Sequence, residues 1–229
     1  MSMPFYVAPE QVMKDRADYA RKGIARGRAL LGTLYNQGVL ICAENPSRSL
    51  HKISEIYDRI AFAGVGKYNE FDQLRVAGVR HADTKGYAYS RHDVEARSLA
   101  NIYAQYLGQV FTHEMKPMEV EILVAELGAK VEESQLYHIL YDGTVVDETN
   151  YCVLGGDAES VIARFATSFD SSWSLEEAVT ASVAALAGAD RVLSATDLEV
   201  AVLSLGNGRR TFTRISQERL KEILSAEKE

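Results

Sequence analysis

Apolar positions along the chain follow two rhythms that alternate in blocks. Met13, Ala17, Ala20 and Ile24 recur at helical spacing. They follow Pro9-Glu10-Gln11, where proline in the first turn and an acid beside the positive end of the helix dipole favour a helix start. The spacing predicts a helix over 9–22, with Arg16, Arg21 and Lys22 toward its end and Gly23 and Gly27 stopping it. The rhythm then shortens. Apolar runs over 30–35 and 39–43 meet at Asn36-Gln37-Gly38 and predict a hairpin, which Asn45-Pro46 terminates. Two further strands are expected over 53–57 and 60–63. A Gly64-Val65-Gly66 step then opens a helix over 68–79.

Ser90, with Asp93 three residues on, resembles a capping box and predicts the start of a long helix. Its apolar stripe is Leu99, Ile102, Tyr103, Tyr106 and Val110, read as core rather than as a cofactor box. Pro117 resets the chain into strands. Val120, Ile122 and Val124 alternate with Glu119 and Glu121 in a strand over 120–127, and strands over 136–141 and 145–146 flank Asp142-Gly143. A buried strand over 151–154 stops at Gly155-Gly156, and a helix over 158–168 follows. Ser174-Leu175-Glu176-Glu177 is a capping box for a helix over 175–187. Strands over 198–205 and 211–215 flank Asn207-Gly208, a hairpin signal, before a last helix capped by Ser216. Strands in runs and helices in pairs differ from the strict alternation of a parallel sheet. Two antiparallel sheets packed face to face, with helix pairs outside, bury both sheet faces. No repeat or linker interrupts 1–229, so one domain is expected.

Composition narrows the function classes. Of 229 residues, 47% are hydrophobic and 25% charged, with a net charge of −7. That balance fits an ordinary globular chain and argues against a nucleic-acid partner. The basic cluster Arg16, Arg21, Lys22, Arg26 and Arg28 is interleaved with acids and reads as a helix end or subunit contact. No apolar run reaches the roughly 20 residues that span a bilayer, and the first residues show no signal-peptide pattern, so no membrane partner is expected. Cys42 and Cys152 each lie in an apolar run and are read as buried free thiols in a reducing cytoplasm. His51, His81, His92, His113 and His138 show no paired ligand spacing, so neither a metal nor another cofactor is expected.

Several stretches carry a resemblance together: PEQVMKDRADYARKGIARGRA, GVLICAENPSRSLHKISEIYDRIAFAGVGKYNEFDQLR, ADTKGYAYSRHDVEARSLANIYAQ, KPMEVEILVAE, LYHILYDGTVVDE and DLEVAVL. In that order and spacing, nearly the whole chain resembles a proteasome α-type subunit of the actinobacterial kind. The Tyr-Asp-Arg cluster of archaeal and eukaryotic α subunits is missing from the first residues. The resemblance implies an α+β fold, the four-layer α/β/β/α sandwich of N-terminal-nucleophile hydrolases, with residues 28–229 forming the sandwich. It implies a seven-membered α ring stacked on β-subunit rings that hold the protease chamber, with an extra N-terminal helix at 9–22.

Catalysis in that fold needs a threonine at a free N-terminus, its hydroxyl attacking while its own amine serves as base. Aligned on the strand containing Gly32, that position falls on Arg28, whose guanidinium stays protonated and cannot attack. Glu44 and Lys52 fall where active relatives keep an acid and a lysine. Gly32-Thr33 lies inside a strand and Gly143-Thr144 in a turn, so neither is a plausible cleavage point. No catalytic residue is therefore assigned.

In α subunits the lysine equivalent to Lys52 lines a pocket between neighbours that takes the C-terminal tail of an AAA ATPase or other activator ring. The resemblance assigns Lys52, Gly27, Gly64 and Val65 to this pocket; the plainer reading of Lys52 is a salt-bridged strand lysine. Residues 1–8, with Met3, Pro4, Phe5, Tyr6, Val7 and Ala8, form an apolar segment expected to gate the pore through which unfolded substrates pass. Two rivals remain: an active hydrolase of the same fold, and a small-molecule enzyme or binding module, which predicts a monomer or dimer.

Overall fold

The computed structural model describes residues 8–226. Its elements run α1 (Pro9–Ala25), β1 (Leu30–Tyr35), β2 (Gly38–Glu44), β3 (Ile53–Tyr57), β4 (Ile60–Gly66), α2 (Tyr68–Ala88), α3 (Ala96–His113) and β5 (Val120–Glu126). They continue with β6 (Gln135–Ile139), β7 (Val145–Glu148), β8 (Tyr151–Leu154), α4 (Ala158–Ala166), α5 (Leu175–Ala187), β9 (Leu198–Ser204), β10 (Phe212–Arg214) and α6 (Gln217–Ala226). Two five-stranded antiparallel sheets result, in orders β10-β9-β2-β1-β8 and β3-β4-β5-β6-β7.

Alternation along the strands decides the layers, because a strand in the middle of a sandwich must be apolar on both faces. Leu30, Val39, Ile41, Ala63, Val65, Leu123 and Leu203 meet between the sheets. Leu31, Leu40, Cys42 and Val200 point outward against Phe165, Val179, Val183 and Leu220 of α4, α5 and α6. Phe62, Ile122 and Val124 point the other way, against Phe71, Leu74, Leu99, Tyr103 and Leu107 of α2 and α3. The order is thus helices, sheet, sheet, helices. Helix α1 is the exception: it packs on β4 and β5 and inserts Ala20 and Ile24 into the inter-sheet core, closing one margin of the sandwich.

Several expectations are corrected. Helix α1 runs through Gly23 to Ala25; a Cβ at Gly23 would lie 2.1 Å from Glu119 Oε1, so this glycine permits close packing rather than ending the helix. Helix α2 continues nine residues past Val79 to Ala88. Its inward face there is small: Gly78 and Gly86 leave room for the hydroxyls of Tyr103 and Tyr57, so the apolar pattern fades while the helix does not.

Ser90 caps only a 3-10 turn, Arg91–Asp93, by accepting from His92 N at 3.3 Å. Helix α3 starts at Ala96, whose N–H donates to Glu126 Oε2 of β5 at 2.8 Å, a cap supplied from 30 residues away. Its buried stripe is Ala96, Leu99, Ala100, Tyr103 and Leu107, while Ile102 and Tyr106 are exposed. The expected hairpin forms, β9 pairing antiparallel with β10 across Asn207-Gly208, but over a longer connection than a two-residue turn. The loop over 205–211 leans on the β3–β4 hairpin, where Arg210 pairs with Glu55 of β3 at 2.6 Å and Thr211 N donates to Asp58 O of the turn at 2.9 Å. Helix α5 matches expectation, with the Ser174–Glu177 capping box formed in both directions.

Candidate functional site

Three side chains singled out in the sequence converge where α1 hands over to β1. Lys52 Nζ donates to Arg28 O at 2.7 Å. Arg28 Nη1 donates to Glu44 Oε1 at 2.7 Å, and Arg191, on the segment after α5, holds the same buried carboxylate from the other side at 3.1 Å. β1 and β2 bring these groups together, because their register pairs Leu30 with Ala43 and Glu44 N donates to Ala29 O, one residue after Arg28. Burial lowers the Lys52 ammonium to about 8; Glu44 and Glu199 oppose the drop and Arg28 adds to it.

A second carboxylate organises the approach to Lys52. Glu199 of β9 is buried and accepts from Lys52 N at 2.8 Å, Ile53 N at 3.3 Å and Asn45 Nδ2 at 2.7 Å. Arg214 and His51 complete its shell. The loop between β2 and β3, which carries Lys52, is thereby tied to β9, the neighbour of β2 in the sheet that the loop leaves. Neither Glu199 nor Arg191 was singled out in the sequence. An acid between Leu198 and Val200, in an otherwise apolar strand, is the signal that marks Glu199.

The other residues that the resemblance assigns to a pocket are placed unequally. Gly27 lies at the helix–strand junction, where a Cβ would come within 3.6 Å of Gly66 N. It borders a cavity of about 650 Å³ with Arg28, Glu44, Asp157, Arg164 and Arg191, which Lys52 does not line. Gly64 backs onto Phe71, its Cβ position 2.7 Å from that ring, and its N–H donates to Lys52 O at 3.0 Å. Val65 is fully buried in the inter-sheet core. At these two positions only the backbone of β4 is presented toward Lys52. Of the residues expected to form a gate, Met3, Pro4, Phe5, Tyr6 and Val7 lie outside the described residues; Ala8 is exposed and its carbonyl accepts from Gln11 N and Val12 N at the start of α1.

The nucleophile position is chemically closed. Arg28 sits inside the chain with α1 before it, and Ile24 and Ala20 fill the adjacent inter-sheet margin. Thr33 is fully buried mid-strand, its hydroxyl donating to Leu34 O at 3.2 Å. Within the basic cluster, Arg16 donates to Phe111 O at 2.6 Å and Arg21 to Asp18, so both have internal partners besides the Arg28 pair. Burial pushes the Cys42 thiol up to about 12. No helix among the described residues is long and apolar enough to cross a membrane.

The arrangement defines an N-terminal-nucleophile sandwich whose attacking position is occupied by a paired arginine. The family described as "Proteasome subunit" matches residues 24–203. "Proteasome subunit alpha" of Acidimicrobium ferrooxidans is 65% identical over 229 residues, covering 100% of this chain and 99% of the relative. The proteins of that name from Sanguibacter keddieii and Thermobifida fusca are each 54% identical, covering 99% and 98% of this chain and 91% of the relative in both cases. The chain belongs to the proteasome subunit family, as one of its α subunits. It is thus a non-catalytic component of the threonine-protease core and assembles with other proteasome subunits.

Proposed function

We propose that this chain forms the seven-membered outer rings of a cytoplasmic 20S core, gates substrate entry, and docks the C-terminal tails of an AAA ATPase or other activator ring. In this reading 1–229 act as one domain, sister α subunits close the ring, β subunits supply the protease chamber, and unfolded chains pass the gate. The observation that carries it is the Lys52 cluster. At the edge of the sandwich a half-buried ammonium donates to a backbone carbonyl in the field of Glu44 and Glu199, with no nucleophile for it to serve. One N–H is committed to Arg28 O, which leaves two for an incoming carboxylate. A neighbouring subunit would supply the rest of the docking site.

Lys52 also sets a pH edge. Docking requires the ammonium, so activator-stimulated hydrolysis, expressed as a ratio to the basal rate, should fall as pH rises through about 8. Stability should move the opposite way. The folded chain binds fewer protons than the unfolded chain between about 8 and the ordinary 10.5, so unfolding free energy rises with pH across that window. Lys52→Arg keeps a permanent cation and should remove the edge from the stimulation profile. A wild-type ratio that stays flat across this range would count against tail docking at Lys52.

The gate is tested separately. Deleting residues 2–8 should speed hydrolysis of an unfolded protein by the assembled barrel and leave small-peptide hydrolysis less affected, because a long chain is more obstructed by converging tails. Equal rates before and after deletion would remove the gating assignment while leaving the docking site intact.

A further inference from the structure

We propose that His138, Glu148 and Cys152 form a binding site for a zinc-class divalent transition-metal ion, with water as the fourth ligand and Glu121 beside the imidazole. The sequence gives no hint of it, since the four residues are scattered over three strands of one sheet and one strand of the other. His138 of β6 pairs with Leu123 of β5, an inter-sheet core residue, so the imidazole faces inward. Glu121 lies two residues before Leu123 on β5, and Glu148 lies two after Val146, which pairs with His138. A strand's period of two puts both carboxylates on that same inner face. Cys152, on β8 of the opposite sheet, belongs to the same inter-sheet core and faces them.

The ligand atoms are already gathered. One atom each from His138, Glu148 and Cys152 lies within 4.8 Å of the other two. Glu121 Oε2 lies 3.6 Å from His138 Nε2 and Glu148 Oε1 lies 4.0 Å from His138 Nδ1, so a carboxylate stands beside each ring nitrogen and the one that does not bind the ion keeps an acceptor near it. His138 Nε2 is buried without a hydrogen-bond partner, which costs free energy unless something fills its position. The groups line a cavity of about 510 Å³ at the sheet margin, together with Glu159, Asn150 and Tyr151. No lysine or arginine lines that cavity, and among the described residues neither Glu121 nor Glu148 has an ion pair with one. Three inward or rim carboxylates thus face one imidazole and one thiol with no resident cation.

Donor chemistry selects the ion. An all-oxygen set would favour calcium or magnesium, whereas one sulfur, one imidazole nitrogen and carboxylate oxygens favour zinc and its congeners, which accept four such ligands in tetrahedral array. Binding forms the metal–sulfur bond and releases the thiol proton to solvent, with no change of oxidation state. The ion would cross-link the two sheets at the β7–β8 edge, where only Thr149-Asn150 join them.

Cobalt titration of the purified full chain tests this, because a thiolate ligand gives a near-ultraviolet charge-transfer band and four-coordination gives intense visible bands. The expected result is saturation at about one cobalt per chain, with zinc displacing it and raising Tm. Cys152→Ser should lose the charge-transfer band, while Cys42→Ser keeps it. Glu148→Gln, at a partly exposed position that leaves the core unchanged, should weaken cobalt binding at least about tenfold. Weak six-coordinate spectra in the wild type, or a charge-transfer band that survives in Cys152→Ser, would overturn the proposal. So would wild-type cobalt affinity in Glu148→Gln.

Discussion

Lys52→Ala should assemble into barrels with β subunits as readily as the wild type and fail to respond to the ATPase ring. Both halves follow from where the side chain sits. Lys52 is half-buried and contributes one side-chain hydrogen bond, to Arg28 O; its backbone N–H, which holds the loop to Glu199, survives truncation. The fold therefore loses little. Docking loses its only proposed cation, and a charge-assisted hydrogen bond to a tail carboxylate is worth about 1.5–3 kcal/mol. That is about ten- to a hundred-fold in the affinity of one tail. Several tails engage together, so the loss compounds, and stimulation should vanish at activator concentrations that saturate the wild type. Native gel migration reads assembly and unfolded-protein hydrolysis reads stimulation. A mutant barrel stimulated normally would refute the Lys52 pocket and leave the α-subunit assignment standing.

Glu199→Ala should have the largest effect on stability. The carboxylate is buried and serves Asn45, His51, the N–H groups of Lys52 and Ile53, and the Arg214 guanidinium. Truncation leaves a partly buried cation and several donors without partners, which costs about 3–5 kcal/mol for a broken buried pair. Urea unfolding of the isolated chain should show that drop in midpoint. Glu55→Ala, which breaks an exposed pair with Arg210, is the matched control and should shift stability by no more than about 1 kcal/mol. Equal shifts in the two variants would mean that Glu199 is not the anchor of the loop. Glu199→Ala should also blunt activator response at temperatures where it remains folded, because the loop that presents Lys52 loses its tether.

Much of the architecture was readable from local pattern. Strands β1 to β6, the capping box of α5 and the pairing of two antiparallel sheets follow from alternation, turn residues and element order. Failures occurred where a distant group intervened. Helix α3 begins where Glu126 caps it, Gly23 sits inside α1 to admit Glu119, and the 205–211 loop is opened by contacts with Asp58 and Glu55. A window of neighbouring residues contains none of those partners. In the site, Arg28, Glu44 and Lys52 were legible through the family resemblance, whereas Arg191 and Glu199 became visible only once strands from distant parts of the chain lay side by side.

The sequence alone determined the family, the layer arrangement and the absence of a threonine at the position where attack would occur, because each depends on residue type and short-range order. Tertiary structure decided which carboxylates lie near Lys52, how far its ammonium is depressed, and that α1 fills the margin beside Arg28. It also decided that His138, Glu148 and Cys152 share one cavity. Those outcomes depend on distance through space and on burial, which strand register and sheet stacking set and which linear spacing does not encode.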